Sequence, residues 1–400
     1  MIWPVPAPML SSKRCAGLLA AGAIGAIGAG LLRAGLLAAS LLAVALPARA
    51  TPLLPQSDSQ VIERLPPQTR VSSSRDPLVA AAEARDLIQA SRREGDPRPA
   101  GRALARLAPW AGADQAPTAP APVLLALAEA EQYLHEFNRA VLRLQGLVQR
   151  EPGLAQAWLL LATLHRVQGR YDLSDQACES LRQLRVQPYA DACLAENGAL
   201  RGDLASARTM LQRLLQAQAA PATRAWLGAT LAELEERAGQ PDAADAAWRQ
   251  SLREAPDTYT AVAYADFLLD RQRPQPAWDL LAPLPRSEPV LLRQAIAAAR
   301  LGRPEAAALR TELHERHAQA DLRPGDSGHL RERALRALDI DRQPRLALAQ
   351  ARKNLQRQRE PIDLWLMARA AQAAGDPQAL AEVQRLARQQ GLQDARLATP

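Results

Sequence analysis

Few residues of this 400-residue chain have the types and spacing that chemistry needs. Of its five histidines, His314 and His317 in the stretch HERH fall on one helical face, as two metal ligands would. The spacing is not that of HExxH and no third ligand accompanies them, so no metal is expected. A G-x-S-x-G elbow and a phosphate-cradling glycine loop are both missing, as is the strand pattern on which either would sit. The glycines fall where turns are needed. The chain therefore reads as a non-enzyme, with no catalytic residue and no cofactor. Cys178 and Cys193 are the remaining informative pair: they bridge in an oxidising compartment, or serve as two small buried hydrophobes.

The first 50 residues bear on the compartment. They contain no acidic residue, carry Lys13 and Arg14 ahead of an apolar run from Ala16 to Leu46, and end in ALPARA, where Ala48 and Ala50 form an A-x-A cleavage pattern. Residues 1–50 read as a secretory signal peptide cut after Ala50, which places the remainder in the periplasm. In the alternative the run stays uncleaved and anchors the protein in the inner membrane, since about 20 apolar residues span a bilayer. A mis-assigned start, with no export, is the third reading. Lys13, Arg14, Arg33 and Arg49 account for four of the seven net positive charges, so the mature chain carries only +3. Lys13 and Lys353 are the sole lysines among 49 basic residues, a compositional bias rather than a phosphate-binding pattern. No nucleic-acid partner is expected, and the run Arg352, Lys353, Arg357, Arg359 reads as a solvated helix face before it reads as a patch for an anionic partner.

Whatever function exists must be positioned by helices. The chain is 48% hydrophobic but only 4% aromatic, which favours thin helices packed closely, and its 31 prolines forbid long uninterrupted ones. Residues 51–77 form an extended linker, and GADQAPTAPAP at 112–122 is a low-complexity loop. From there a turn recurs at Gly95, His135, Gly169, Gly202, Gly239, Arg273, Gly302, Arg342 and Gly375, at intervals of roughly 34 residues. Seven residues before the turn stand Ala128, Ala162, Ala195, Ala232, Ala295 and Ala368. Five after it stand Ala100, Ala140, Ser174, Ala207, Ala244, Ala307 and Ala347. Small residues at both places let two helices cross closely. Leu87, Leu127, Leu161, Leu194 and Leu231 supply the apolar knob beside them, and Pro152, Pro188, Pro221, Pro256, Pro285, Pro324 and Pro361 mark the hairpin ends.

These copies resemble the tetratricopeptide repeat (TPR) family, in an exported bacterial form. The nearest are Leu124 to Arg150 closed by Pro152, with Leu127, Ala128, Phe137, Ala140, Leu144 and Leu147, and the next, with Trp158, Leu161, Ala162, Gly169, Tyr171 and Leu181. The likeness comprises a degenerate first hairpin at 78–112, well-matched repeats over 121–256 and degenerate ones over 257–395. It implies an all-α protein, an α-solenoid of about nine helix-turn-helix repeats wound into a right-handed superhelix with a concave groove. It also implies a non-catalytic protein–protein interaction scaffold of the bacterial cell envelope, holding a partner protein or peptide in that groove. A membrane-anchored assembly factor with the same TPR domain is the alternative, and the helical domain of an unrecognised envelope enzyme a second. The family's groove positions fall on Glu129, Tyr133, Arg166, Tyr189, Glu196, Trp226, Glu233, Phe267, Arg271, Arg300, Arg336 and Arg369. The last four arginines would form a ladder for an acidic segment of the partner. In this register Cys178 and Cys193 lie on packed neighbouring helices, where a disulfide or two thiols fit equally.

Cleavage after Ala50 is checked by N-terminal sequencing of the protein recovered from cells: Thr51 is expected at the amino terminus, outside the cytoplasm, whereas Met1 in the membrane pellet would establish the anchored form.

Overall fold

Nine helical hairpins follow one another in the computed structural model, which describes residues 76–112, 118–321 and 329–398. The signal-peptide and linker assignments lie outside the described residues, except for Asp76 and Pro77 at the start of the first helix. The hairpins are α1 (Pro77–Glu94) with α2 (Pro97–Leu107), α3 (Ala121–Tyr133) with α4 (Phe137–Arg150), and α5 (Ala155–Val167) with α6 (Tyr171–Gln183). Then come α7 (Tyr189–Leu200) with α8 (Leu204–Ala217), α9 (Pro221–Arg237) with α10 (Pro241–Glu254), and α11 (Thr258–Asp270) with α12 (Pro274–Leu281). The last three are α13 (Glu288–Leu301) with α14 (Ala306–Asp321), α15 (Leu330–Asp339) with α16 (Pro344–Asn354), and α17 (Pro361–Ala374) with α18 (Pro377–Gln390). A final turn, α19 (Ala395–Ala398), follows. Among the described residues there is no strand, and helices adjacent in sequence pack on one another, so the architecture is an all-α solenoid.

The turns obey backbone sterics. Gly95, Gly169, Gly202, Gly239, Gly302 and Gly375 all lie in the left-handed region, with φ between 64° and 99°, where a Cβ would crowd the following carbonyl. His135 and Arg342 take the same conformation at φ 60° and 56°. In the sixth hairpin the left-handed residue is Gln272 (φ 56°), not Arg273. This one-residue correction puts fully buried Ala265 and Ala277 at the two small positions and moves Asp266 out of the crossing.

Prolines open helices more often than they end hairpins. Pro77, Pro97, Pro221, Pro241, Pro274, Pro344, Pro361 and Pro377 each occupy a first helical position, where the absent N–H would have had no partner. Pro221 and Pro361 are thus starts rather than stops. Side chains of Asp76, Asp96 and Asp376 cap three of these helices, and those of Asp203 and Asp257 cap α8 and α11.

At the crossings Ala128, Ala140, Ala162, Ser174, Ala232 and Ala244 are all buried, and the Ser174 hydroxyl donates to the Ala162 carbonyl at 2.8 Å. Ala307 alone of these positions faces solvent. Neighbouring hairpins are also tied by arginine forks. Arg208 holds Glu235 at 2.5 and 2.6 Å, Arg293 holds Asp266 at 2.8 and 2.7 Å, and Arg331 holds Asp363 at 2.6 and 2.8 Å.

The array also returns on itself. Gly95 of the first hairpin lies against Ser287 at the head of the seventh, and His135 of the second meets Gln358 beyond the eighth at 3.1 Å. The Arg359 amide donates to the Val167 carbonyl at 2.7 Å, while Gly169 lies against the Gln390 side chain, which would be 2.5 Å from a Cβ there. Contacts six hairpins apart therefore supplement the nearest-neighbour stacking of a linear repeat.

Ala162→Leu adds three carbons to a site with no space and is expected to cost roughly 1–3 kcal/mol. An unchanged urea midpoint for this variant would contradict the crossing described above.

Candidate functional site

Curvature identifies the inner wall. First helices of successive hairpins touch, α3 with α5, α5 with α7, α7 with α9, α11 with α13, α13 with α15 and α15 with α17. Second helices do not pack on one another to the same degree. The first helices therefore line the concave side.

On that wall Tyr189 of α7 stacks on Trp226 of α9, with ring centroids 5.1 Å apart at 30°. Each lies thirteen residues before its left-handed turn glycine. With Gln272 as the sixth turn residue, the corresponding position of α11 is Tyr259, which is 39% exposed. Glu196, Glu233 and Asp266 share a second position, six residues before the same turns. Aromatic and carboxylate rungs thus run in parallel across three helices. Tyr259 and Asp266 were hidden from sequence reasoning by the one-residue slip at Arg273, and an alignment on Ala265 and Ala277 would have found them. The slip also explains Phe267, which belongs to the core at 2% exposure rather than to the groove. Arg271 is exposed, with its guanidinium 5.7 Å from the Phe267 ring centroid.

The remaining assigned positions are engaged within the protein. Glu129 is buried, and burial raises its pKa against the opposing charges of Arg92 and Arg85. The Tyr133 hydroxyl donates to the Ser91 carbonyl at 2.9 Å. Arg166 and Glu196 form a buried pair at 3.0 Å. Arg300 donates to the Leu269 carbonyl at 2.5 Å and to Asp339 at 3.1 Å. Arg369 takes the same Asp339 carboxylate at 2.7 and 3.0 Å and approaches Asp270 at 3.5 Å. Arg336 donates to Asp341 at 3.1 Å and to His317 Nδ1 at 2.7 Å. Three of the four arginines read as a ladder for an acidic partner segment are therefore already neutralised by Asp270, Asp339 and Asp341. Sequence spacing places an arginine on a face but does not show which carboxylate arrives opposite.

The wall is instead rich in buried carboxyl groups. Desolvation pushes Glu233 up to about 7, with Arg237 opposing and Glu196 and Glu236 adding to the rise, although part of its surface stays exposed. Burial likewise raises Glu236 against Arg396 and Asp270 against Arg369. His314 and His317 diverge: His314 meets Asp341 at 2.9 Å, and His317 meets Glu288 at 2.9 Å. Because Arg336 donates to His317 Nδ1, Nε2 carries the proton that faces Glu288. His329 reaches Glu288 as well, at 3.2 Å, and the two histidine bonds hold its carboxyl well below the usual range although burial opposes them. No group of His, Cys, Asp or Glu among the described residues is arranged to hold a metal ion. Of the basic run, Arg352 pairs with Glu382 at 2.9 Å, and the Arg359 amide makes the contact with Val167.

Cys178 of α6 and Cys193 of α7 are joined in a disulfide, their Cα atoms 5.7 Å apart. Beside it the Asn197 amide donates to Ser174 at 2.9 Å and to Asp175 at 2.9 Å. The bridge therefore clamps the third hairpin to the fourth.

No family model and no curated protein matches the chain. Among solved structures it is similar to a human IFIT1 dimer with PPP-AAAA, at 14% identity and a TM-score of 0.43, and to a human IFIT1 dimer with m7Gppp-AAAA, at 15% identity and the same TM-score. Each comparison covers 78% of this chain and 72% of the other. Both of those IFIT1 dimers carry a nucleic-acid ligand, and the expectation that excludes nucleic acid as a partner is withdrawn.

His165, buried on α5 beside Arg166, is held down to about 4 by desolvation, with Arg170 adding to the effect. A histidine with a depressed folded pKa stabilises above its unfolded value near 6.5, and that stability is lost as pH falls toward 4. Between pH 7 and pH 5 the wild-type chain is expected to lose about 1–2 kcal/mol more than His165→Gln in urea titrations. Equal losses in the two proteins would show that His165 is not kept neutral by burial.

Proposed function

We propose that the protein is a non-catalytic interaction scaffold of the bacterial cell envelope, an exported TPR-like solenoid that holds a segment of a partner protein along the inner wall of α7, α9 and α11. The carrying observation is the aromatic row of that wall, the stacked Tyr189 and Trp226 continued by the exposed Tyr259. Aromatic side chains offer large contact area at low conformational cost, and they dominate recognition energetics where they cluster. The parallel carboxyl row of Glu196, Glu233 and Asp266 suits a segment that brings hydrogen-bond donors or basic side chains. The disulfide of Cys178 and Cys193 supports the export reading, since such bonds persist in oxidising compartments.

Membrane anchoring through the apolar run at 16–46 is the second reading. It lies outside the described residues, among which no helix is long and apolar enough to cross a membrane.

Crosslinking capture from the envelope fraction tests the proposal. Trp226→Ala combined with Tyr259→Ala in the full-length chain is expected to reduce recovery of the captured partner at least tenfold with helix content unchanged. Equal recovery from variant and wild type would overturn the assignment of this wall.

A further inference from the structure

The ninth hairpin ends at Gln390, capped by Gly391 in the left-handed region at φ 70°. The residues that follow belong to no hairpin, yet they have a defined place. The Gln393 amide donates to the Leu200 carbonyl at 2.8 Å, joining the tail to the end of α7. Gln393 and Ala395 lie over Gly202 and Gly239, at 3.0 and 3.4 Å from where a Cβ would stand on those glycines. Leu392 is buried in the main apolar cluster. Asp394, fully buried at its side chain, holds Arg396 by a fork at 3.0 and 2.6 Å, and the remaining guanidinium nitrogen of Arg396 pairs with Glu236 of α9. Glu236 and Arg396 expose only 12% and 14% of their side chains.

This is the arrangement of a bound peptide: one main-chain hydrogen bond, one apolar anchor, two glycines that permit backbone approach, and one oriented arginine aimed at a buried carboxylate. We infer that the edge formed by the ends of α7 and α9 is a docking site for an arginine-bearing peptide segment, filled in cis by residues 392–397, and that a partner segment of the same chemistry displaces them. Intramolecular occupancy presents the tail at an effective concentration of order millimolar, so the intact chain masks the site from a weak competitor. The contacts that hold the tail are few, which places its release at the low-stability end of the molecule. The inference deepens the scaffold reading and rests on it for the existence of an outside partner.

The test uses full-length wild type, full-length Arg396→Glu, and a fluorescent peptide of sequence GLQDARLATP, residues 391–400. By anisotropy the peptide is expected to bind Arg396→Glu at least tenfold more tightly than wild type, and replacing the peptide's arginine by alanine should remove that binding. Equal affinity of the two proteins overturns the inference. Should Arg396→Glu lose helix content, hydrogen exchange on the wild type decides. Release of the tail predicts that the Gln393 amide exchanges at least a hundredfold faster than amides in the centre of α17. Exchange in step with α17 shows that the tail is a permanent part of the core and overturns the inference. Peptide binding to Arg396→Glu with no envelope protein captured by either chain supports the docking site and removes the scaffold reading. Partner capture by both chains with no peptide binding does the reverse.

Discussion

Close approach of two helices at small residues is the constraint on which everything else rests. Most hairpins cross where alanine or serine faces alanine, as Ala162 faces Ser174 and Ala232 faces Ala244, and at that distance the flanking leucines reach across to a neighbour. A hairpin so thin cannot enclose a core. It must stack, and stacking joins Leu200, Trp248, Phe267, Leu291 and Met367 in one continuous apolar cluster. The scarcity of aromatic residues is thus a condition of the architecture.

A second layer of organisation is electrostatic. Arginine is the nearly exclusive cation here, and its planar fork suits the bidentate pairs that recur between neighbouring hairpins. Arg208 with Glu235, Arg293 with Asp266 and Arg331 with Asp363 each reach one repeat along the array. Breaking such a pair on one side leaves a charge short of its partner in a poorly solvated place. These pairs therefore set which hairpins can be neighbours more than they add to net stability, while Arg396 with Glu236 applies the same chemistry to fasten the tail.

The inner wall joins these layers to function. Curvature brings the first helices together, so residues one repeat apart in sequence become rungs, and desolvation within the concavity raises the carboxyl groups of Glu129, Glu233, Glu236 and Asp270. A wall of this kind favours donors and cations over anions. The arginines of the later hairpins, Arg300, Arg336 and Arg369, do not offset these carboxyl groups, because they are spent on Asp339, Asp341 and Asp270.

The helix class, the number of hairpins and eight of the nine turn residues were legible in the sequence. Left-handed turns demand glycine or tolerate few substitutes, and close crossings demand small residues at fixed offsets; both are local rules written residue by residue. The sixth turn slipped by one residue because neither Gln272 nor Arg273 is a glycine and the register there is fixed by the small residues Ala265 and Ala277 instead, and with it went the groove positions of Tyr259 and Asp266. The Cys178 and Cys193 positions were visible as neighbours through the repeat register, while their union was not. What only the tertiary structure decided are the contacts between hairpins far apart in the chain, His135 with Gln358 and Gly169 with Gln390, and those of the tail, Gln393 with Leu200 and Arg396 with Glu236. They depend on the accumulated rotation of the whole stack, in which small angles at each crossing add up, and no local pattern of residues encodes that sum.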